Sequence, residues 1–144
     1  MTSPTVTATL PAWCAEYIGL PYRERGRTRD GLDCWGLIRL VLAEQAGVTV
    51  ESYVDGYRGE RDLVRIAQLF FEEATSSSWR QVPLDTAQVF DVLELALAGR
   101  HHVGLVVAPG RMLHVLAGRE TCIERLHPIW ARRIEAAYRH TTLS

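Results

Sequence analysis

Apolar and polar positions divide the chain into a helical first half and a stranded second half. Leu10 to Gly19 predicts a short helix, with Trp13, Tyr17 and Leu20 at i, i+4, i+7 spacing and with Gly19 and Pro21 as its stop. Tyr22 to Leu32 reads as a loop rich in Arg and Gly. Cys34 to Ala46 predicts a helix with Asp33 as N-cap and Gly47 as C-terminal stop. On it Cys34, Leu37, Ile38 and Val41 share one face, so the thiol begins the buried stripe. Val48 to Gly59 is a turn-rich connection, and Arg61 to Ala74 predicts a second amphipathic helix. Then come short apolar runs broken by Gly, Pro or Asp: Trp79–Val82, Val89–Leu95, His102–Ala108, Met112–Ala117, Thr121–Leu126 and Ile134–His140. Their spacing predicts an antiparallel meander or small barrel, with Pro109-Gly110 as one hairpin turn. Helices first and strands second is the α+β signature. Residues 1–9 read as a flexible leader and 10–144 as a single domain.

Composition narrows the chemistry. At 144 residues and 47% hydrophobic, the chain can close one core. A net charge of −1 gives no reason to expect nucleic acid or an anionic membrane surface as partner. No apolar run nears the roughly 18 residues of a membrane span, so no membrane insertion is expected. The N-terminus lacks a basic start and an apolar core, so no secretory signal is expected. All 16 basic residues are Arg, and Lys and Asn are both absent. That excludes a Walker-type lysine, Schiff-base chemistry, a Ser-Lys dyad and a Cys-His-Asn triad. The cysteines Cys14, Cys34 and Cys122 form no CxxC pair, and their odd number does not suggest a disulfide framework.

Cys34 would open a helix, where free backbone N–H groups and the positive dipole end lower a thiol's pKa and can hold an oxyanion. The bland account is a small buried hydrophobe, the commoner fate of a single Cys. His101-His102 opens one predicted strand and His114 lies in the next, so pairing about Pro109-Gly110 brings His102 near His114. A base and a group that fixes its tautomer are what a Cys nucleophile needs. His114 alone could equally be a satisfied core histidine. Alternation sets His101 and His102 on opposite faces, and periodicity does not choose between them. A zinc site of Cys34, His102 and His114 is a competing reading, weakened by the absence of HExxH or paired CxxC. Arg23, Arg25, Arg27 and Arg29 could bind substrate carboxylates or simply form a solvated loop. The four Trp fit a core, although Trp35, beside the thiol, could wall a groove.

Together, Gly19-Leu20-Pro21-Tyr22, Gly31-Leu32-Asp33-Cys34-Trp35-Gly36-Leu37, Phe90-Asp91-Val92, His102-Val103-Gly104-Leu105-Val106-Val107 and Met112-Leu113-His114-Val115 resemble the NlpC/P60 cysteine peptidases, especially those of phage tails and gene transfer agents. The resemblance implies a papain-like α+β fold with the nucleophile at the start of a helix packed on a small antiparallel sheet. It makes Cys34 the nucleophile, His102 the general base and His114 the orienting member. Tyr22, Asp33 and Trp35 become oxyanion or substrate support. It further implies hydrolysis of peptidoglycan stem peptides, commonly between γ-D-glutamate and a diamino acid, with no metal or other cofactor. Phage tail-tip proteins become expected partners, and the virion tail, or the cytoplasm before assembly, the expected location. Trp35 replaces the Ser of most cellular members, Phe90 replaces a Gly, and Val48 to Ser78 exceeds a minimal member. A non-catalytic tail-assembly protein of the same fold, and an amidase or acyltransferase using the same Cys-His site, are the alternatives.

Overall fold

The computed structural model describes residues 9–143, so the expected leader, apart from Thr9, lies outside the described residues. Helical elements precede the main sheet, as the pattern predicts. The first is a 3-10 segment, Ala12–Tyr17, rather than an α-helix. Pro11 stands before it and Gly19 turns the chain after it at φ 84°, which leaves too short a run for α-helical propagation. The expected loop contains a two-stranded ribbon, β1 (Arg27–Thr28) and β2 (Gly31–Leu32).

Helix α1 spans Cys34–Val41 and runs on through a π-turn, Leu42–Ala46, to Gly47, whose φ of 68° closes it. Helix α2 covers Leu63–Ala74. It starts at Leu63 rather than Arg61 because the Asp62 carboxylate accepts from the Arg58 backbone N–H at 3.1 Å and closes a turn there.

The main sheet contains β3 (Trp79–Val82), β4 (Val92–Leu97), β5 (Arg100–Ala108), β6 (Arg111–His114), β7 (Cys122–Arg125) and β8 (Ile134–His140). Its order is β3-β8-β4-β5-β6-β7, antiparallel throughout. It is therefore not a simple meander: the last strand inserts between β3 and β4. Strand β4 begins at Val92 rather than Val89 because Phe90 has φ 76° and Asp91 turns into a buried ion pair with Arg139 at 2.8 Å. The left-handed φ explains why a family pattern would place Gly there. Here Phe90 stacks on Trp13, ring centroids 5.4 Å apart, which offsets the strain. Strand β5 begins ahead of His102 because Ala98 and Gly99, both at positive φ, make a two-residue hairpin joining Leu97 to Arg100.

The pleat sorts the sheet into two apolar layers. Val103, Leu105 and Leu113 pack against Leu37, Ile38 and Val41 of α1. Leu93, Leu95, Val106 and Met112 face the opposite way and are covered by Trp130. Among the described residues no helix is long and apolar enough to cross a membrane.

Candidate active site

The thiol end of the site is built on α1. Asp33 caps the helix as predicted, its Oδ1 accepting from the Gly36 N–H at 2.8 Å. The same carboxylate accepts from Arg27 Nη1 at 2.8 Å and from the Tyr57 hydroxyl. Arg27 in turn donates to the Ser52 carbonyl and the Tyr57 hydroxyl, both at 2.7 Å. Gly36 permits this junction: a Cβ there would lie 1.9 Å from the Gly26 carbonyl oxygen. Two of the four loop arginines are thus structural, since Arg29 also forms a bidentate pair with Glu44 at 2.8 and 2.7 Å.

Cys34 is half-buried at the first position of α1, and its sulfur is addressed by the backbone N–H groups of Trp35 and Val103. Helix α1 therefore meets β5 one residue beyond His102. The sequence expectation of a lowered thiol pKa is not met. Burial first, then the Asp33 charge, push the Cys34 thiol up to about 12, and the two N–H groups and Arg27 recover only part of this. Tyr22 lies near Asp33, Glu60 and Cys34. Burial and these negative charges hold its phenol well above the ordinary tyrosine range, so it stays a hydrogen-bond donor.

The histidines resolve what periodicity left open. His101 turns toward α2, stacks on Phe70 at 5.1 Å and meets Glu94 at 3.3 Å. His102 turns the other way, is buried, and its Nε2 lies 2.8 Å from His114 Nδ1. The β5–β6 register, with Leu105 opposite Leu113, makes the two imidazoles diagonal neighbours on one face. Gly104 makes room for that pairing: a Cβ would lie 2.7 Å from Met112 Sδ. His114 Nε2 lies 2.5 Å from Glu124 Oε2, and Trp130 covers both rings at 6.0 and 4.9 Å.

This chain of contacts has one consistent set of protons for neutral rings. An ionised Glu124 only accepts, so His114 carries its proton on Nε2 and presents a lone pair at Nδ1. His102 then donates from Nε2, which leaves its Nδ1 lone pair as the basic end. Burial, and secondarily the neighbouring His114, lower the His102 pKa to about 3. The resting site is therefore a neutral imidazole and a neutral thiol. The arrangement can accept a proton at one stated atom and hold that atom's tautomer.

Two cavities flank the site. A cleft of about 270 Å³ is lined by Tyr22, Asp33, His102, Glu60, Arg100 and Arg119, with Arg100 paired to Glu60 at 3.2 Å. A smaller cavity of about 110 Å³ lies under α2, walled by Trp35, Tyr53, Phe70, Trp79, Val103 and Tyr138. Trp35 thus walls a cavity, held by donation from its Nε1 to the Glu51 carbonyl at 2.8 Å. The sequence reading missed Glu124, Tyr57 and Trp130. Glu124 stands at i+2 from Cys122 on β7, a spacing that shares a face, but only the His114–Cys122 register shows what it meets. The zinc reading for Cys34, His102 and His114 is not what the structure groups. Among the described residues, the His, Cys and acidic side chains whose ligand atoms come together are those of His114, Cys122 and Glu124.

A thiol at the first residue of a helix, laid on an antiparallel sheet that pairs two histidines, defines a mixed α+β fold with few helices packed against a sheet. The NlpC/P60 family model matches residues 19–139, and the chain belongs to that family. Among solved structures, it is similar to the NlpC/p60 domain of the peptidoglycan hydrolase SagA, with TM-score 0.58, 20% identity and coverage of 88% of this chain and 92% of that one. An NlpC/P60 family protein from Bacillus cereus ATCC 10987 gives TM-score 0.61 at 22% identity, covering 92% of this chain and 41% of that one. A lipoprotein-like NLP/P60 family protein from Staphylococcus aureus subsp. aureus Mu50 gives TM-score 0.61 at 21% identity, covering 94% and 44%. The chain spans less than half of the latter two proteins. No curated protein matches the chain by sequence alone.

Proposed function

We propose that this chain is a cysteine hydrolase of peptidoglycan stem peptides, with Cys34 as nucleophile, His102 as general base and His114 as its positioning residue. The observations that carry the reading are the His102–His114–Glu124 chain, which leaves a lone pair at His102 Nδ1, and the Val103 N–H, one residue beyond His102, that addresses the Cys34 sulfur. Cys34 attacks the scissile carbonyl carbon as its proton passes to His102 Nδ1. The oxyanion is held by backbone N–H groups at the start of α1 and by the Tyr22 hydroxyl. His102 returns the proton to the leaving amine, and water releases the acyl group from the thioester. Because thiol and imidazole rest neutral, proton transfer accompanies attack rather than preceding it. Arg100 and Arg119 in the cleft suit the carboxylates of a γ-D-glutamyl–diamino acid segment.

The test is digestion of purified stem-peptide fragments, read by mass spectrometry. Wild type should release two peptide products, and Cys34→Ala and His102→Ala should release none above background. Equal turnover by Cys34→Ala would overturn the assignment. The family resemblance to phage-tail versions, with Trp35 after the thiol, supports action from a virion tail alongside tail-tip proteins. Finding the chain in purified particles is the matching measurement. Particles that assemble and infect normally with Cys34→Ala would favour a purely structural tail role.

One observation favours a second reading. The aromatic cavity beside Cys34 is nearly devoid of polar surface and suits an acyl chain, as an amidase or acyltransferase requires. Turnover of short acyl esters, with none of stem peptides, would select it.

A further inference from the structure

The proton relay ends on a group of side chains that the proposed hydrolysis uses only in part. His114 and Cys122 are direct partners in the β6–β7 ladder. Glu124 follows two positions along β7, so the pleat sends all three side chains to one face. His114 Nε2, Cys122 Sγ and a Glu124 carboxylate oxygen lie within 4.8 Å of one another, and no other such group occurs among the described residues. An imidazole nitrogen, a thiolate sulfur and a carboxylate oxygen form the donor set of a three-ligand site for a borderline-soft divalent ion, with a fourth position left for water. Around tetrahedral zinc, with bonds of about 2.0–2.3 Å, neighbouring donors sit roughly 3.2–3.7 Å apart. His114 Nε2 and Glu124 Oε2, now at 2.5 Å, need only part slightly. The Glu124 side chain is 42% exposed and free to swing, whereas His114 is 0% exposed and fixed.

We propose that His114, Cys122 and Glu124 form a regulatory site for a zinc-class divalent cation, and that filling it silences His102. The silencing, though not the binding, rests on reading His102 as the general base. Without the ion, His114 keeps its proton on Nε2, facing Glu124. With the ion on Nε2, that proton must sit on Nδ1 and point at His102 Nε2. His102 then accepts there, and its own proton moves to Nδ1, the atom that would take the thiol proton. Each ring keeps one proton throughout. Cys122 releases its thiol proton to solvent and binds as thiolate. The reversal is one of tautomer, and it acts along a single hydrogen bond of 2.8 Å.

The test uses cobalt(II) as the spectroscopic stand-in for zinc, in the full chain carrying Cys34→Ala so that the candidate-site thiol cannot bind it. One equivalent should raise a thiolate-to-cobalt charge-transfer band that zinc displaces. Adding Cys122→Ser should abolish the band, and Glu124→Gln, a conservative change on an exposed side chain, should weaken cobalt binding by about tenfold or more. A band that survives Cys122→Ser, or no band in the Cys34→Ala protein, overturns the site. With Cys34 intact, zinc should slow alkylation of Cys34, and Cys122→Ser should make it indifferent to zinc. A Cys122-dependent band alongside zinc-indifferent alkylation overturns the silencing. Alkylation that ignores both zinc and His102→Ala instead overturns the general-base reading while the ion site stands.

Discussion

Two carboxylates organise the two ends of the candidate site, and they are held in opposite ways. Asp33 is buried, caps α1, and is gripped by Arg27 and Tyr57 as well as by a backbone N–H. Glu124 is 42% exposed, and among the described residues His114 is its hydrogen-bond partner. The first is a fixture. Its geometry is over-determined, and the thiol it introduces cannot drift from β5. The second is adjustable, because one side-chain rotation changes what the histidines feel. Stability is concentrated at the Cys34 end of the candidate site, and tuning at the histidine end.

The sharpest way to break the contrast is to truncate each carboxylate and compare unfolding. Asp33→Ala leaves the Arg27 guanidinium, 11% exposed, without its counter-charge and Gly36 without its cap. The expected loss is about 3–5 kcal/mol in urea unfolding. Glu124→Gln keeps an acceptor for His114 and should remain within about 1 kcal/mol of wild type. Activity should invert the order of sensitivity per unit of stability lost. Glu124→Gln should lower kcat by about 10- to 100-fold with KM little changed, as expected of a group acting through another residue. A Glu124→Gln enzyme that lost stability in step with rate would make the carboxylate a structural element like Asp33.

A pH series sharpens the same comparison. With the thiol pushed up to about 12, the thiolate fraction of Cys34 grows with pH across the whole neutral and alkaline range. In His102→Ala, where thiolate alone reacts, iodoacetamide labelling should therefore climb by roughly tenfold per unit, with no plateau at acid pH. In wild type, labelling should run faster than in that variant at neutral pH, and a plateau reaching down to pH 6 would mean that a thiolate–imidazolium pair exists at rest. The smallest effect belongs to the outer loop. The Arg29–Glu44 pair is 44% and 37% exposed, so Arg29→Ala should cost no more than about 1 kcal/mol.

What could be read from the chain depended on how local the information was. Trp79–Val82 and Ile134–His140 fold over the ranges their alternation predicts. The meeting of His102 and His114 follows from a single turn at Pro109-Gly110, so their spacing was enough. Elements that depend on distant partners were not legible. The insertion of β8 between β3 and β4 follows from Ile134–His140 satisfying two strands at once, which no window of sequence displays. Tyr57 reaches Asp33 across 24 positions, and Glu124 meets His114 only through the β6–β7 register. The upward shift of the Cys34 thiol was not legible because the helix N-terminus is a local feature whereas desolvation is a tertiary one. Phe90 departs from the family Gly because Trp13, far away in sequence, supplies the compensating stack.

The order of the strands also carries a message about how the protein is made. Strand β8 follows every other described strand in sequence, yet both β3 and β4 pair with it. While the nascent chain lacks that strand, β4 offers a bare hydrogen-bonding edge and β3 has no neighbour in the sheet. Cys34, His102, His114 and Glu124 all precede β8 in the chain, so until that strand docks the sheet that carries them is still split. The sheet is therefore complete only once β8 has docked, and until then the bare edge of β4 is open to pairing with another chain.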